Sequence, residues 1–259
     1  MSRADAHVHL SSRRSFCAAL KPGTEVEAYL EIRARAGITH SLVVGYERGE
    51  HEGNSDDIRR IAQTHKGLHT TAFLETHGPP APRLLSDALA KGHAGWSVYL
   101  DGDGLGAWRT SDRAALRGLD GGVLSVNVSA RDIEALHDLL RTCGDVPVFV
   151  SHLGLPGPDA ADWALDGLTA LASDPRVHVK VSGLYAIDAR SDHPSAREVV
   201  AVAVDAFGVD RLLWGSDFSP VLDAVADPVG IPSWLPGLVG SSLPGVLGAN
   251  LLRLLEVRA

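Results

Sequence analysis

Short apolar runs alternate with helical patterns from one end of the chain to the other, and this alternation limits the folds open to it. Strand-like runs cover Ala4–Leu10, Ile38–Tyr46, His69–Thr76, Gly95–Leu100, Gly122–Val128, Val146–His152, Val177–Leu184 and Arg211–Asp217. They are mostly rich in Val, Ile, Leu or Thr, and most lie beside Gly or Pro. Helical patterns fill the gaps. Thr24 with Glu27 reads as a capping box opening Val26–Ala36, and Gly37 ends that helix. Asn54 or Ser55 opens Asp56–Lys66, and Ser129 opens Arg131–Thr142. Asp159–Ala172 carries Trp163, Leu165, Leu168 and Leu171 at helical spacing, and Ser195–Phe207 and Leu243–Val257 follow. Pro82–Lys91 and Ser111–Leu119 are weaker patterns.

Eight such units point to parallel βαβ pairing. A chain of 259 residues suits a single (β/α)8 barrel spanning residues 1–259, a TIM barrel, with a doubly wound open sheet as the alternative. Pro228–Pro244 reads as a long loop after the eighth strand. With aromatics at 5%, the core is expected to be aliphatic.

Charge narrows the partners. Lys+Arg 24 against Asp+Glu 32 gives a net charge of −8, which argues against nucleic acid and anionic membranes. No apolar run approaches the roughly 20 residues that span a bilayer. Cys17 and Cys143 are too few for a disulfide framework, and the N-terminus has no apolar leader. A reduced, cytoplasmic setting is therefore expected. Oligomeric state is not legible at this level.

Three strand ends carry chemistry. The first strand reads Asp5-Ala6-His7-Val8-His9, and residues two apart in a strand share a face, so Asp5, His7 and His9 are expected to point one way. Two imidazoles there can share one metal ion or one substrate oxygen. The sixth strand ends Ser151-His152-Leu153-Gly154, and the eighth ends Trp214-Gly215-Ser216-Asp217. Each alone has a structural reading: surface histidines, a hydrogen-bonded histidine, a turn aspartate. Together they fall at C-terminal strand ends, which converge on one pocket in a closed barrel.

These stretches, with Val179-Lys180-Val181-Ser182-Gly183-Leu184 and Gly248-Ala249-Asn250, resemble the amidohydrolase superfamily, specifically its amidohydrolase-2 branch. The chain looks most like the lactonase group that includes 2-pyrone-4,6-dicarboxylate lactonase and sugar-acid lactonases. The resemblance implies that His7, His9 and Asp217 bind metal or substrate. It implies that Asp217 activates water and that His152 contacts the substrate or that water. Decarboxylases of the branch carry a metal-binding His on strand five, where this chain has Leu124-Ser125-Val126-Asn127-Val128-Ser129. Asn127 or Ser129 takes that place, and both are poorer ligands than imidazole.

The expected function is hydrolysis of a lactone or related cyclic ester, probed against two alternatives: a metal-dependent decarboxylase of the same fold, and a catalytically inactive ligand-binding barrel. One divalent ion, zinc or manganese, is expected at weak or partial occupancy. The expected substrate is a small anionic lactone, with Arg48, Arg109, Arg131 and Asn127 as candidate binding residues and Glu75 and His77 also on the rim. Asp101-Gly102-Asp103-Gly104 superficially resembles a calcium loop, but Leu105 sits at a ligand position. On strand seven, Lys180 is expected to point into the barrel. Asp5 is its candidate partner, and the alternative is that Lys180 reaches outward.

Overall fold

The computed structural model describes residues 3–74, 82–100, 116–117, 119–158 and 162–256. Eight parallel strands run β1 (Arg3–Val8), β2 (Ile38–Val43), β3 (Leu68–Leu74), β4 (Gly95–Leu100), β5 (Val123–Val128), β6 (Val148–Val150), β7 (Val177–Val181) and β8 (Leu212–Trp214), in sequence order within one sheet. Helices α1 (Glu25–Arg35), α2 (Asn54–Thr64), α3 (Pro82–Ala90), α4 (Ile133–Leu140), α5 (Asp162–Ala170), α6 (Ala196–Phe207) and α7 (Asn250–Glu256) lie between and after them. The seam is joined beyond β8, where Val8 bridges Phe218, Asp217 N donates to His7 O at 3.0 Å and His9 N donates to Phe218 O. The result is a nearly closed (β/α)8 barrel, as the alternation predicts, and the open doubly wound sheet is set aside.

Alternation along each strand sorts its side chains. On β7, Val177, Val179 and Val181 join the large apolar cluster shared with α4, α5 and α6, leaving His178 and Lys180 for the barrel interior. The lower interior is filled by Ala4, Ala6, Leu42, Val123, Phe149 and Leu213, capped by Leu251 and Leu255 of α7. These are the aliphatic layers expected of such a barrel.

Strand β1 breaks its own alternation. Asp5 pairs with Ser41 and Val8 with Val43, so three steps on β1 (8 − 5) match two on β2 (43 − 41). This is a bulge. Below it Ala4 and Ala6 face inward; above it Val8 and Leu10 pack outward on Tyr29 of α1 and Ile58 of α2. His7 and His9 therefore face inward, while Asp5 faces α1. The expectation that Asp5 shares their face is corrected.

Smaller corrections concern caps. Thr24 Oγ1 donates to Lys21 O at 2.9 Å, so the capping box does not form. Gly53, in the left-handed region at φ 77°, is the N-cap of α2. Asn54 is buried, donating to Leu10 O at 2.8 Å and accepting from Tyr46 N at 3.2 Å. Both cysteines are free and buried. Among the described residues no single helix is long and apolar enough to cross a membrane.

Candidate active site

The upper interior is polar where the lower is apolar. His7 and His9 rise from β1 with Nε2 atoms 3.1 Å apart. Asp217 follows β8, its Oδ1 3.7 Å from His7 Nε2 and 4.0 Å from His9 Nε2. His152 comes from the turn after β6; its Nδ1 is 3.8 Å from Asp217 Oδ2, and its ring centroid is 4.4 Å from that of His7. The four residues expected to meet do meet, and all are buried.

Backbone shape brings them there. Strand β6 stops at Val150, earlier than the sequence pattern implies, because His152 and Leu153 adopt left-handed φ of 54° and 56°. Asp217 does the same at φ 60°. Left-handed backbone disfavours side chains with a Cβ, and such positions gather at functional sites. Two glycines give the imidazoles room. A Cβ on Gly183 (φ 60°) would lie 2.5 Å from His152 Nδ1, and one on Gly215 would lie 2.9 Å from His7 Cβ.

Burial sets the protonation states. It pushes His9 down to about 4, His152 to about 3 and His7 well below the usual 6.5. Burial also raises the Asp217 carboxyl to about 6, against the opposing pull of His9, Tyr185 and Lys180. Near neutral pH the site therefore holds one carboxylate among three neutral imidazoles. The close His–Asp contacts are not ion pairs, since desolvation outweighs their mutual attraction.

Several supporting groups carry no signal in the sequence pattern. Tyr185 donates its hydroxyl to Asp217 Oδ2 at 2.7 Å. Ser182 Oγ lies 3.1 Å from His152 Nδ1 and accepts from His152 N at 3.3 Å. Ser182 lies in the strand-seven motif; Tyr185 follows it in a single helical turn, Leu184–Ile187, and no periodicity marks it.

Lys180 is buried inside the barrel, as expected, but Asp5 is not its hydrogen-bond partner. Its Nζ donates to Ser125 Oγ at 2.7 Å and to His7 Nδ1 at 3.0 Å. Asp5, turned outward by the bulge, accepts from Ser216 N at 2.9 Å, His7 N at 3.2 Å and Tyr29 OH at 3.2 Å. The two charges interact only at longer range, through Coulombic attraction.

The cleft above these groups has a volume of about 260 Å³ and is lined by Phe16, Tyr46, Tyr99, Asn127, Leu155 and Tyr185 in addition to His9, His152 and Asp217. A larger groove lined by His193, Asp227 and Pro232 lies elsewhere and includes none of the four clustered residues. Asn127 thus reaches the cleft wall. Arg48 is half-buried, donating to Tyr99 O at 3.2 Å with its guanidinium 5.9 Å from the Tyr99 ring. Arg131 is exposed and does not line the cleft. Arg109, Glu75, His77 and the Asp101–Gly104 stretch lie outside the described residues.

His7, His9 and Asp217 each offer a ligand atom within 4.8 Å of the others. The 3.1 Å separation of the two Nε2 atoms suits one tetrahedral ion, whose ligands at about 2.0 Å stand about 3.3 Å apart. The surrounding shell fits less well. A ligating histidine usually donates its second N–H to a fixed acceptor. His7 Nδ1 instead lies between Lys180 Nζ at 3.0 Å and the Ser151 hydroxyl at 3.3 Å, and among the described residues His9 Nδ1 is buried with no hydrogen-bond partner.

A family model described as "Amidohydrolase" matches residues 4–228, from the first strand through the aspartate after the eighth. The chain belongs to the amidohydrolase family. That membership supports a hydrolase. Solved structures share the amidohydrolase barrel. A Pseudomonas putida protein named for 2-pyrone-4,6-dicarboxylic acid hydrolysis has a TM-score of 0.80 at 20% identity, covering 100% of this chain and 98% of its own. A Burkholderia multivorans amidohydrolase crystallised with bound zinc has a TM-score of 0.79 at 21% identity, covering 99% of each chain. A further match, 33% identical over 88 residues, is to the uncharacterized protein y4mH of Sinorhizobium fredii. It spans 33% of this chain and 30% of that relative.

Proposed function

We propose that this amidohydrolase opens a lactone or related cyclic ester by attack of water, with Asp217 as general base. One observation carries the reading: a buried carboxylate on the wall of a cleft, raised to about 6, stands among three neutral imidazoles, of which His9 and His152 line the cleft. A base with a pKa just below neutral is ionised yet still takes a proton from water in the transition state. Tyr185 holds Asp217 Oδ2, so the free lone pairs of Oδ1 face the histidines and the incoming water. His7 and His9 would polarise the lactone carbonyl and carry the developing oxyanion. Asp217, having taken the water's proton, would give it up to the ring oxygen as that leaves, with His152, 3.8 Å away, orienting the water or relaying the proton.

A divalent ion, where bound, would be held by His7, His9 and Asp217 and would add Lewis-acid polarisation of the carbonyl. His9 Nδ1, without a partner among the described residues, and the Lys180 side chain facing His7 support weak or partial occupancy rather than a tight zinc or manganese centre. For an anionic lactone we assign the counter-charge to Arg48, which packs on Tyr99 of the cleft wall without lining the cleft itself. Asn127 is the neutral polar contact.

The test is a panel of neutral and anionic lactones assayed by acid release. Asp217→Asn keeps the shape but cannot take the proton, and the loss expected is about 10²–10⁴-fold. An inert wild type across the panel, or a variant within about tenfold of wild type, would overturn the proposal.

A further inference from the structure

We infer that Phe16 and Glu25 are positioning residues that set the orientation of the His9 imidazole, by an aromatic contact in place of a hydrogen bond. The starting observation is what His9 lacks. Its Nε2 meets His7, but among the described residues its buried Nδ1 has no hydrogen-bond partner. A site histidine with one free ring nitrogen needs another restraint on rotation about its χ2.

Phe16 supplies the restraint. Its ring centroid is 5.0 Å from that of His9 with the planes 35° apart. Phe16 is itself stacked on His51, at 3.8 Å and 6°. Tyr46 closes the group edge-on, 6.0 Å from Phe16 and 5.9 Å from His51. The order His51, Phe16, His9 runs from the rim to the site. Rotation of the His9 ring would turn it against Phe16, and movement of Phe16 would break its stack on His51.

Phe16 sits in the loop between β1 and α1, which has no regular structure to hold it. Glu25 does that. It is fully buried at the first turn of α1, and one carboxylate oxygen, Oε1, accepts from Phe16 N at 2.9 Å, from Ser15 Oγ at 3.1 Å and from Ser219 Oγ. The carboxylate thereby ties the Phe16 loop to the segment after β8 that carries Asp217. Asp57 and Asp223 hold the flanks of the same loop, accepting from Ser12 N at 2.8 Å and Ala19 N at 2.9 Å. Burying a carboxylate is costly unless donors surround it. Here three donors converge on Oε1, one of them the backbone N–H of Phe16, while Oε2 is buried with no hydrogen-bond partner among the described residues.

The inference rests on the proposed reading only in taking His9 as a site residue, so one arm of the test needs no turnover. Histidine labelled at Cε1 reports the His9 ring by NMR, with the signal assigned by its loss in His9→Gln. A single sharp signal is expected in wild type, and a broadened or split one in Phe16→Ala and Glu25→Ala. Glu25→Gln keeps an acceptor at Oε1 and should restore the sharp signal. In the kinetic arm each alanine variant should lose about 10–100-fold in kcat with a smaller change in KM. The double variant should lose no more than the worse single one, because Glu25 acts through Phe16. If Glu25→Ala fails to fold, Phe16→Leu and His51→Ala test the same stack. A sharp His9 signal in Phe16→Ala, or losses that multiply in the double variant, would overturn the inference. A wild type inert on every lactone removes the hydrolysis proposal and leaves the NMR arm to decide this one.

Discussion

Replacing Lys180 with Met is expected to change how stability depends on pH. Lys180 is fully buried, and burial brings its pKa from 10.5 down to about 7, with Asp217 and Asp5 opposing from a distance. The unfolded chain holds this proton up to about pH 10.5, while the folded chain releases it near 7. Between those values the unfolded state binds more protons, so stability rises with pH across the window and is lowest below it. The slope is about 1.4 kcal/mol per pH unit, and a gap of about 3.5 in pKa corresponds to about 5 kcal/mol in all. Methionine carries no proton, so Lys180→Met lacks this contribution. The stability of the variant minus that of wild type should therefore be most favourable near pH 7 and fall by about 1.4 kcal/mol per unit toward pH 10. Ser125 and His7 lose a donor, which costs about 1–3 kcal/mol at every pH and shifts the line without tilting it. Groups far from Lys180 cancel in the difference, and Asp217, His7 and His152, which feel its charge, titrate below the window. Urea unfolding of both proteins at about pH 7, 8, 9 and 10, with equal m-values, reads the slope directly. A difference flat across the window would refute the lowered pKa of Lys180.

Three further outcomes are expected. The ratio kcat/KM should rise with pH through about 6, as the Asp217 carboxyl ionises, and a profile flat from about pH 5 to 7 would remove Asp217 as the base. Metal occupancy after purification should be substoichiometric and should fall on dialysis against a chelator, read by elemental analysis; stoichiometric zinc surviving chelation would contradict the weak shell around His7 and His9. Gly183→Ala should push His152 off Asp217 and add the strain of a left-handed alanine, lowering stability by about 1–2 kcal/mol and activity well beyond what that loss explains. A structure of that variant with His152 unmoved would count against the argument.

Much of the barrel and four of its site residues were legible in the order of residues. Period-two apolar runs between helical patterns specify parallel strands, because each must bury one face on helices and the other inside the barrel. The C-terminal positions of His7, His9, His152 and Asp217 follow from the same pattern, since parallel strands present those ends to one rim. What periodicity does not encode is any departure from it. The bulge in β1 turns Asp5 toward Tyr29 while His7 faces Lys180, and a strict two-residue alternation places all three together. Lys180 reaches across the interior to Ser125, fifty-five residues away in sequence, because barrel closure decides which strands share a layer. The left-handed turn at His152, the Tyr185 hydroxyl on Asp217 and the Glu25 carboxylate under Phe16 all lie in or against irregular segments. There the backbone follows side-chain hydrogen bonds rather than a repeat, so only the folded chain determines which donor meets which acceptor.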